Sequence, residues 1–258
     1  MNRIKQLFQQ KHNNILSIYF TAGYPKLNEV SDIIKTLSDA GVDMIEIGIP
    51  FSDPLADGPT IQESSVIALK NGMSVSVLFE QLKNIRSCTQ KPLILMGYLN
   101  PILQYGINEF CIKAQECGID GLIIPDLPLR EYKEDYKNIL ARYDLKFIFL
   151  VTPQTEEKRI RLIDQESDGF IYLVTNSAVT GGNTDFNETK LQSLNKVKSF
   201  ALHNPILAGF GISNKEDFDT ANQYVNGSII GSSFIRALKE DAINLEDSIK
   251  NFVKSIKS

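Results

Sequence analysis

Short apolar runs recur along the chain about every 30 residues, and each is followed by a polar loop and a stretch with helical periodicity. The runs are nearly continuous in Val, Ile and Leu, which is typical of parallel strands buried on both faces. Eight strands are predicted on this basis: "ILSIYF" (15–20), "DMIEIGI" (43–49), "PLILMGY" (92–98), "DGLIIPD" (120–126), "KFIFLVTP" (146–153), "GFIYLVT" (169–175), "PILAGFG" (205–211) and "GSIIG" (227–231).

Helical periodicity begins at the N-terminus, where Ile4, Leu7 and Phe8 predict a short amphipathic helix. A second helix follows the first strand and ends near Ala40, with Gly41 as its stop. The remaining predicted helices cover 60–71, 75–87, 101–117, 130–142, 156–166, 188–202, a segment from Asn214 with Ser213 as its N-cap, a segment from Ser232, and 245–256.

Eight strand-helix units within 258 residues predict a closed parallel (β/α)₈ TIM barrel, with extra helices at the N- and C-terminal ends. We find no linker or change of composition, and therefore expect residues 1–258 to form a single TIM-barrel domain. The alternative is an open doubly wound sheet. That fold favours a G-x-G-x-x-G turn after the first strand, and "FTAGYP" does not match it.

The composition is that of an ordinary globular protein, with 43% hydrophobic and 22% charged residues. The net charge of -4 does not favour nucleic-acid binding, and no apolar run is long enough to span a membrane. The N-terminus has no apolar core of a signal peptide, so we expect a cytoplasmic protein, or one in the plastid stroma if organelle-encoded.

The cysteines and histidines do not predict a metal site. Cys88, Cys111 and Cys117 are unevenly spaced, form no C-x-x-C pair and are expected to be buried thiols. His12 and His203 lie far apart in the sequence, each just before a predicted strand. A metal centre built on histidine is therefore not expected.

Glu46 is the anomaly of the second strand, because it stands between Ile45 and Ile47 where a buried strand favours another aliphatic residue. Burying a charge costs several kcal/mol unless the group is paired, hydrogen-bonded or protonated. Its apolar neighbours should raise its pKa toward the range useful for proton transfer. Asp57 follows on the next loop, where Asp-Gly also reads as a turn signal.

Active residues of barrels lie at the carboxyl ends of the strands. This rule selects Glu46, Asp57, Tyr98, Asn100, Asp126, Tyr172, Gly209, Gly211 and Gly231. Glycines before a helix let backbone N–H groups close on an anion, so "GFGIS" and "GSS", with the Ser232 hydroxyl, predict a phosphate site. The alternatives are tight turns for the glycines and for Asp53, Asp57 and Asp126, a structural ion pair for Glu46, and packing for the tyrosines.

Two kinds of aldolase are disfavoured. A Schiff-base aldolase needs a lysine at a C-terminal strand end, whereas Lys91 and Lys146 precede strands three and five. A metal-dependent aldolase needs a ligand cluster that two scattered histidines do not supply. We therefore expect acid/base chemistry by carboxylates, without metal or cofactor, on a phosphorylated substrate.

Several motifs resemble, in order and spacing, those of the tryptophan synthase α subunit family, and the resemblance covers essentially the whole chain. They are "FTAGYP", "EIGIPFSDPLADGPTIQ", "LMGYLNP", "PDLP", "SAVTGG", "GFGIS" and "IIGSS". The resemblance implies a (β/α)₈ barrel that cleaves indole-3-glycerol phosphate to indole and glyceraldehyde 3-phosphate.

The resemblance also implies roles for individual residues. Glu46 matches the general acid/base, Asp57 the carboxylate that binds the indole N–H, and Tyr172 the tyrosine near the reacting side chain. The other residues are assigned to the phosphate cradle (Gly181, Gly211, Gly231, Ser232), the indole pocket (Tyr19, Met96, Tyr98, Phe210) and a partner contact (Asp53).

The partner implied by the resemblance is a β subunit that carries pyridoxal phosphate, in an α2β2 heterotetramer. No cofactor is expected on this chain. Asn176 and Ala178 depart from the family's usual residues in the sixth loop, whose closing motion the resemblance implies. The alternatives are a stand-alone lyase that releases free indole, a silent activating subunit, and another phosphate-binding barrel such as a ribosyl-phosphate isomerase.

Overall fold

The computed structural model describes residues 1–55, 57–174, 188–209, 211–239 and 244–258. Its strands are β1 (Ile15–Thr21), β2 (Met44–Gly48), β3 (Leu93–Met96), β4 (Gly121–Ile123), β5 (Lys146–Phe147), β6 (Phe149–Val151), β7 (Ile171–Val174), β8 (Ile206–Gly209) and β9 (Gly227–Ile230).

Helices lie between the strands and at both ends of the chain. They are α1 (Arg3–Gln10), α2 (Val30–Asp39), α3 (Pro59–Lys70), α4 (Val75–Leu82), α5 (Leu99–Tyr105), α6 (Ile107–Glu116), α7 (Leu129–Glu131), α8 (Lys137–Arg142), α9 (Glu157–Glu166), α10 (Glu188–Ser199), α11 (Lys215–Ala221), α12 (Ser232–Leu238) and α13 (Leu245–Lys257).

All strand pairs are parallel, in the order β5-β4-β3-β2-β1-β9-β8-β7-β6. The two outer members of this order are halves of one predicted strand, separated only by Ile148. The first half pairs with β4 and the second with β7, so the covalent chain closes the sheet. The predicted (β/α)₈ TIM barrel is confirmed, with its fifth strand in two pieces.

The strands are buried along nearly their whole length, as their apolar runs predicted. Strands buried on both faces need an apolar interior and an apolar outer face covered by helices. Their carboxyl ends lie together at one end of the barrel, which we call the mouth. Side chains from several strands therefore meet there.

Helix α1 closes the opposite end of the barrel. The amide of Asn2 donates to the carbonyls of Asp120 and Asp144, at 2.9 and 2.8 Å. Ile4 is fully buried beside Gly121, where an added Cβ would lie 2.9 Å from the Ile4 Cδ1. At the other terminus, the Lys257 Nζ donates to the Gly41 carbonyl, just before β2.

The helices at both ends are confirmed, and several internal boundaries are corrected. The predicted helix over 101–117 is two helices, because Gly106 has φ +96° and interrupts it. The segment 75–87 is α4 followed by a 3-10 turn at Ile85–Ser87. The segment 130–142 includes a π-helical turn at Tyr132–Tyr136 between α7 and α8.

Two local predictions were wrong. The N-cap of α11 is Asn214 rather than Ser213, because the Asn214 side chain accepts from the Asp217 N–H. Ser213 donates to the Asp217 carboxylate instead. Cys88 is exposed, at the end of a surface turn, although Cys111 and Cys117 are buried as predicted.

Candidate active site

Glu46 lies in the middle of β2 and is fully buried. Its Oε1 accepts a hydrogen bond of 2.7 Å from the Ser17 hydroxyl on β1. Its Oε2 has no hydrogen-bond partner among the described residues. Burial raises the pKa of Glu46 from 4.5 to about 7, and the Ser17 hydrogen bond opposes that rise. The carboxyl group can therefore give or take a proton near neutrality.

Asp57 lies on the loop between β2 and α3. The Tyr98 hydroxyl donates to its Oδ2 at 2.9 Å. Burial raises the pKa of Asp57 from 3.8 to about 6, against the lowering effect of the Tyr98 hydrogen bond. Its backbone N–H also donates to the Pro54 carbonyl, so Asp57 closes a turn and presents a carboxylate at the same time.

Two buried tyrosines, Tyr19 on β1 and Tyr172 on β7, lie close to these carboxylates. Burial raises the pKa of both phenols, and Asp57 and Glu46 add to the rise at each. Both rings lie against strand glycines: a Cβ at Gly48 would collide with the Tyr19 hydroxyl, and one at Gly209 with the Tyr172 ring. The two phenols therefore remain neutral hydroxyl groups at neutral pH.

A pocket opens beside Asp57 at the mouth. Tyr19, Met96 and Tyr98, three of the predicted indole-pocket residues, line it. Phe51 also lines it, with its ring stacked on that of Tyr98 at 5.2 Å between centroids. The predicted Phe210 is outside the described residues.

Sequence reasoning missed several pocket residues. They are Ile49, Phe51, Pro54, Ser65, Gly97 and Pro125. Phe51 carried a usable signal, because a large apolar residue directly after a strand at the mouth must be either exposed or part of a pocket. Ser17 was also missed, although a hydroxyl inside the apolar run "ILSIYF" is as unusual as the carboxylate of Glu46.

The loops after β8 and β9 come together at the mouth. The Ser233 hydroxyl at the start of α12 donates to the Ile212 carbonyl at 3.4 Å. Gly211 has φ +76°, a conformation that favours glycine. A Cβ at Gly231 would lie 3.2 Å from the Tyr19 Cδ1, so this glycine is next to the pocket tyrosine. Gly181, Asn176 and Ala178 are outside the described residues.

Three other polar residues of the mouth lie on its outer side. Asp126 is exposed, and its Oδ1 accepts from the Leu99 N–H at 2.9 Å, so it caps α5. Asn100 is exposed on α5, and Asp53 is exposed on the loop after β2. None of these three lines the pocket beside Asp57.

A metal centre or a membrane span has no support in the described part of the chain. There, no three His, Cys, Asp or Glu side chains lie together in a group that could hold a metal ion. The helices in those same residue ranges are too short or too polar to cross a bilayer.

The fold and the site define a (β/α)₈-barrel protein with a fully buried carboxyl group, Glu46, that can exchange protons near neutrality, and a half-buried one, Asp57, at its mouth. A family model described as tryptophan synthase alpha chain matches residues 4–258. The tryptophan synthase alpha chain of Flavobacterium psychrophilum is 56% identical over 256 residues, covering 99% of this chain and 100% of its own. The chain belongs to the tryptophan synthase alpha chain family.

Solved structures agree. The tryptophan synthase alpha chain of Legionella pneumophila has a TM-score of 0.88 and 29% identity, and the match covers 99% of this chain and 96% of that one. A mutant alpha subunit from Pyrococcus furiosus has a TM-score of 0.86 and 33% identity, with 95% and 98% covered.

Proposed function

We propose that this chain is the α subunit of a tryptophan synthase and cleaves indole-3-glycerol phosphate to indole and glyceraldehyde 3-phosphate, in the penultimate step of tryptophan formation. The observation that carries the proposal is Glu46, a fully buried carboxyl group with a pKa of about 7 and one oxygen that has no hydrogen-bond partner among the described residues. Membership of the family supports the same reaction, and makes the chain an enzyme of the lyase class.

Glu46 is proposed as the general acid/base. The reaction breaks one carbon-carbon bond, between the indole ring and the glycerol side chain. The ring carbon gains a proton, and the adjacent glycerol hydroxyl loses one as it becomes the aldehyde. A single carboxyl group that is protonated and ionised in similar amounts near neutral pH suits both transfers.

Asp57 is proposed to accept a hydrogen bond from the indole N–H and to stabilise the positive charge that develops on the protonated ring. Tyr98 donates to one of its oxygens, and Asp57 lines the pocket. Charge placed in advance in a pocket of low polarity is worth more than the same charge in water. Tyr172, a neutral hydroxyl near Glu46, is proposed to contact the reacting side chain.

The substrate phosphate is proposed to bind the loops after β7, β8 and β9, at Gly181, Gly211, Gly231 and Ser232. The contact between Gly231 and Tyr19 supports this, because it joins the phosphate loops to the indole pocket. The indole ring then lies among Tyr19, Met96, Tyr98 and Phe210, by the family resemblance. The proposed acid/base mechanism uses carboxyl groups and requires no metal or cofactor on the chain.

A β subunit that carries pyridoxal phosphate is the proposed partner, in an α2β2 assembly to which indole is passed. The loop after β2 supports a contact here, because Leu55 is 93% exposed beside the exposed Asp53. The same loop carries Asp57, whose carbonyl accepts from the Gln62 amide at 2.9 Å. A partner held at Asp53 would therefore act on the segment that carries a proposed catalytic group.

The proposal is tested by measuring indole release from indole-3-glycerol phosphate by the purified chain, with and without a β subunit. Glu46→Gln and Asp57→Asn are compared with Glu63→Gln, a matched control because Glu63 is an exposed carboxylate on α3, paired with Lys239. We expect Glu46→Gln to lower turnover between about 10²- and 10⁴-fold with folding intact. The control should keep wild-type turnover.

Each contrary result has a specific meaning. No indole with or without the β subunit would refute the proposed reaction. Near-normal turnover by Glu46→Gln would refute the acid/base assignment. Full activity alone, with no stimulation by the β subunit, would identify a stand-alone lyase.

A further inference from the structure

We infer that Ser17 is a positioning residue for Glu46: its hydroxyl holds one carboxyl oxygen and leaves the other for the substrate. The inference rests on the acid/base role proposed for Glu46. Ser17 Oγ lies 2.7 Å from Glu46 Oε1, while Oε2 has no partner in the described part of the chain. Oε1 is therefore held by a hydrogen bond, whereas Oε2 is left to exchange a proton with the substrate.

The position of Ser17 in the barrel makes this contact specific. Ser17 lies in the middle of β1, two residues before Tyr19, and its Cα partners are Met44 on β2 and Ile229 on β9. It is fully buried in a strand that is buried along its whole length. A buried hydroxyl group destabilises a fold unless it forms a hydrogen bond, and Glu46 supplies the acceptor.

The hydroxyl has two physical effects on Glu46. It holds the carboxyl group in one rotation, because a hydrogen bond to Oε1 also sets the direction of Oε2. It also stabilises the ionised form, because a hydroxyl that donates to a carboxylate favours the charge. The first effect orients Oε2 for proton transfer, and the second keeps the carboxyl group ionisable near neutrality.

Other groups near Glu46 do not replace this donor. Tyr19 on β1 and Tyr172 on β7 interact electrostatically with Glu46. Both are neutral phenols at neutral pH, and Asp57 interacts with each of them. No Lys or Arg of the described residues is paired with Glu46. The Ser17 hydroxyl is therefore the donor that offsets the burial of this carboxyl group.

The test compares Ser17→Ala and Ser17→Thr with Ser228→Ala. Ser228 is a matched control, since it is a fully buried serine on neighbouring β9 whose hydroxyl donates to Asn222 rather than to Glu46. The ionisation of Glu46 is followed by NMR of ¹³C-carboxyl-labelled glutamate, with the Glu46 signal assigned as the one missing in Glu46→Gln. The pH profile of indole release is measured in parallel.

We expect Ser17→Ala to raise the ionisation midpoint of Glu46 by about one pH unit, because a hydrogen bond to a charged group is lost. Turnover should fall about tenfold with a small change in KM, as expected for a misoriented catalytic group. Ser17→Thr keeps the hydroxyl and should restore the wild-type midpoint. Ser228→Ala should change neither quantity.

An unchanged midpoint in a folded Ser17→Ala protein would overturn the inference, as would the same rise in Ser228→Ala. A midpoint that rises in Ser17→Ala and returns in Ser17→Thr supports it. Failure of the proposed function is distinguishable, because the wild-type protein would then release no indole, whatever the NMR titration gives.

Discussion

Replacing Glu46 by Gln should shift the difference in unfolding free energy between the variant and the wild type in favour of the variant as the pH becomes alkaline. The wild-type carboxyl group has a pKa of about 7 when folded, against 4.5 for an ordinary glutamate. At a pH between 4.5 and about 7, the carboxyl group of Glu46 is ionised in the unfolded chain and protonated in the folded protein. Unfolding is therefore favoured as pH rises, and the folded protein loses stability until the pH passes the folded pKa. The amide of the Glu46→Gln variant does not ionise, so this residue does not make the stability of the variant fall as the pH rises.

The size of the effect follows from the two pKa values. A gap from 4.5 to about 7 corresponds to about 3 kcal/mol of unfolding free energy at 1.36 kcal/mol per pH unit. Between pH 5 and pH 8.5, about 2.5 kcal/mol of this is lost by the wild type alone. At pH 5 the variant should be as stable as the wild type or less stable. Its amide N–H₂ replaces Oε2, which has no hydrogen-bond partner in the described part of the chain, and a buried donor without a partner costs about 1 to 3 kcal/mol.

Urea denaturation followed by far-UV circular dichroism measures this difference, since the chain has no tryptophan for fluorescence. The control is Asp120→Asn, which removes a buried carboxylate paired with Arg3 and Arg86 at the closed end of the barrel. The control should lose stability at both pH values, because it leaves two cations without their partner. The reasoning would be refuted if the difference in unfolding free energy between Glu46→Gln and the wild type were the same at pH 5 and at pH 8.5.

Three further predictions concern single contacts. Tyr98→Phe removes the donor to Asp57 and should raise the pKa of that carboxyl group above about 6, as read from a ¹³C-aspartate titration; no rise would contradict the hydrogen bond. Asn214→Ala should lower the free energy of unfolding by about 1 kcal/mol through loss of an N-cap, and an unchanged urea midpoint would argue against the cap. Cys88 should react with a thiol reagent within seconds in the native protein, whereas the two buried thiols should react only after unfolding; three equal rates would contradict the burial.

The barrel could be predicted from the sequence because its repeating unit leaves a strong pattern. Eight apolar runs, each buried on both faces, are distinct from the amphipathic helices between them. The break of the fifth strand at Ile148 could not be predicted, since it depends on which neighbour each half pairs with. Competition between Ser213 and Asn214 for the N-cap was likewise decided by the geometry of Asp217.

The sequence predicts a residue of the candidate site where that residue departs from the apolar pattern of its own strand. Glu46 was selected because burying a charge in an apolar strand costs free energy unless the group is paired, hydrogen-bonded or protonated. Asp57 taken alone was better explained as a turn residue. The contact of Gly48 with Tyr19, and that of Gly209 with Tyr172, depend on the register between neighbouring strands. Register is set by tertiary packing, so a single sequence does not reveal which glycine makes room for which ring.

The closing of the barrel by α1 has a practical consequence for handling the protein. The residues at both ends of the chain lie on the closed side, since Asn2 is held by Asp120 and Asp144 and Lys257 by Gly41. Glu46 and Asp57 open toward the opposite side. A purification tag, a fluorophore or a solid support attached at either terminus would leave the mouth facing solution, so an immobilised preparation would keep its pocket and its β2–α3 loop accessible.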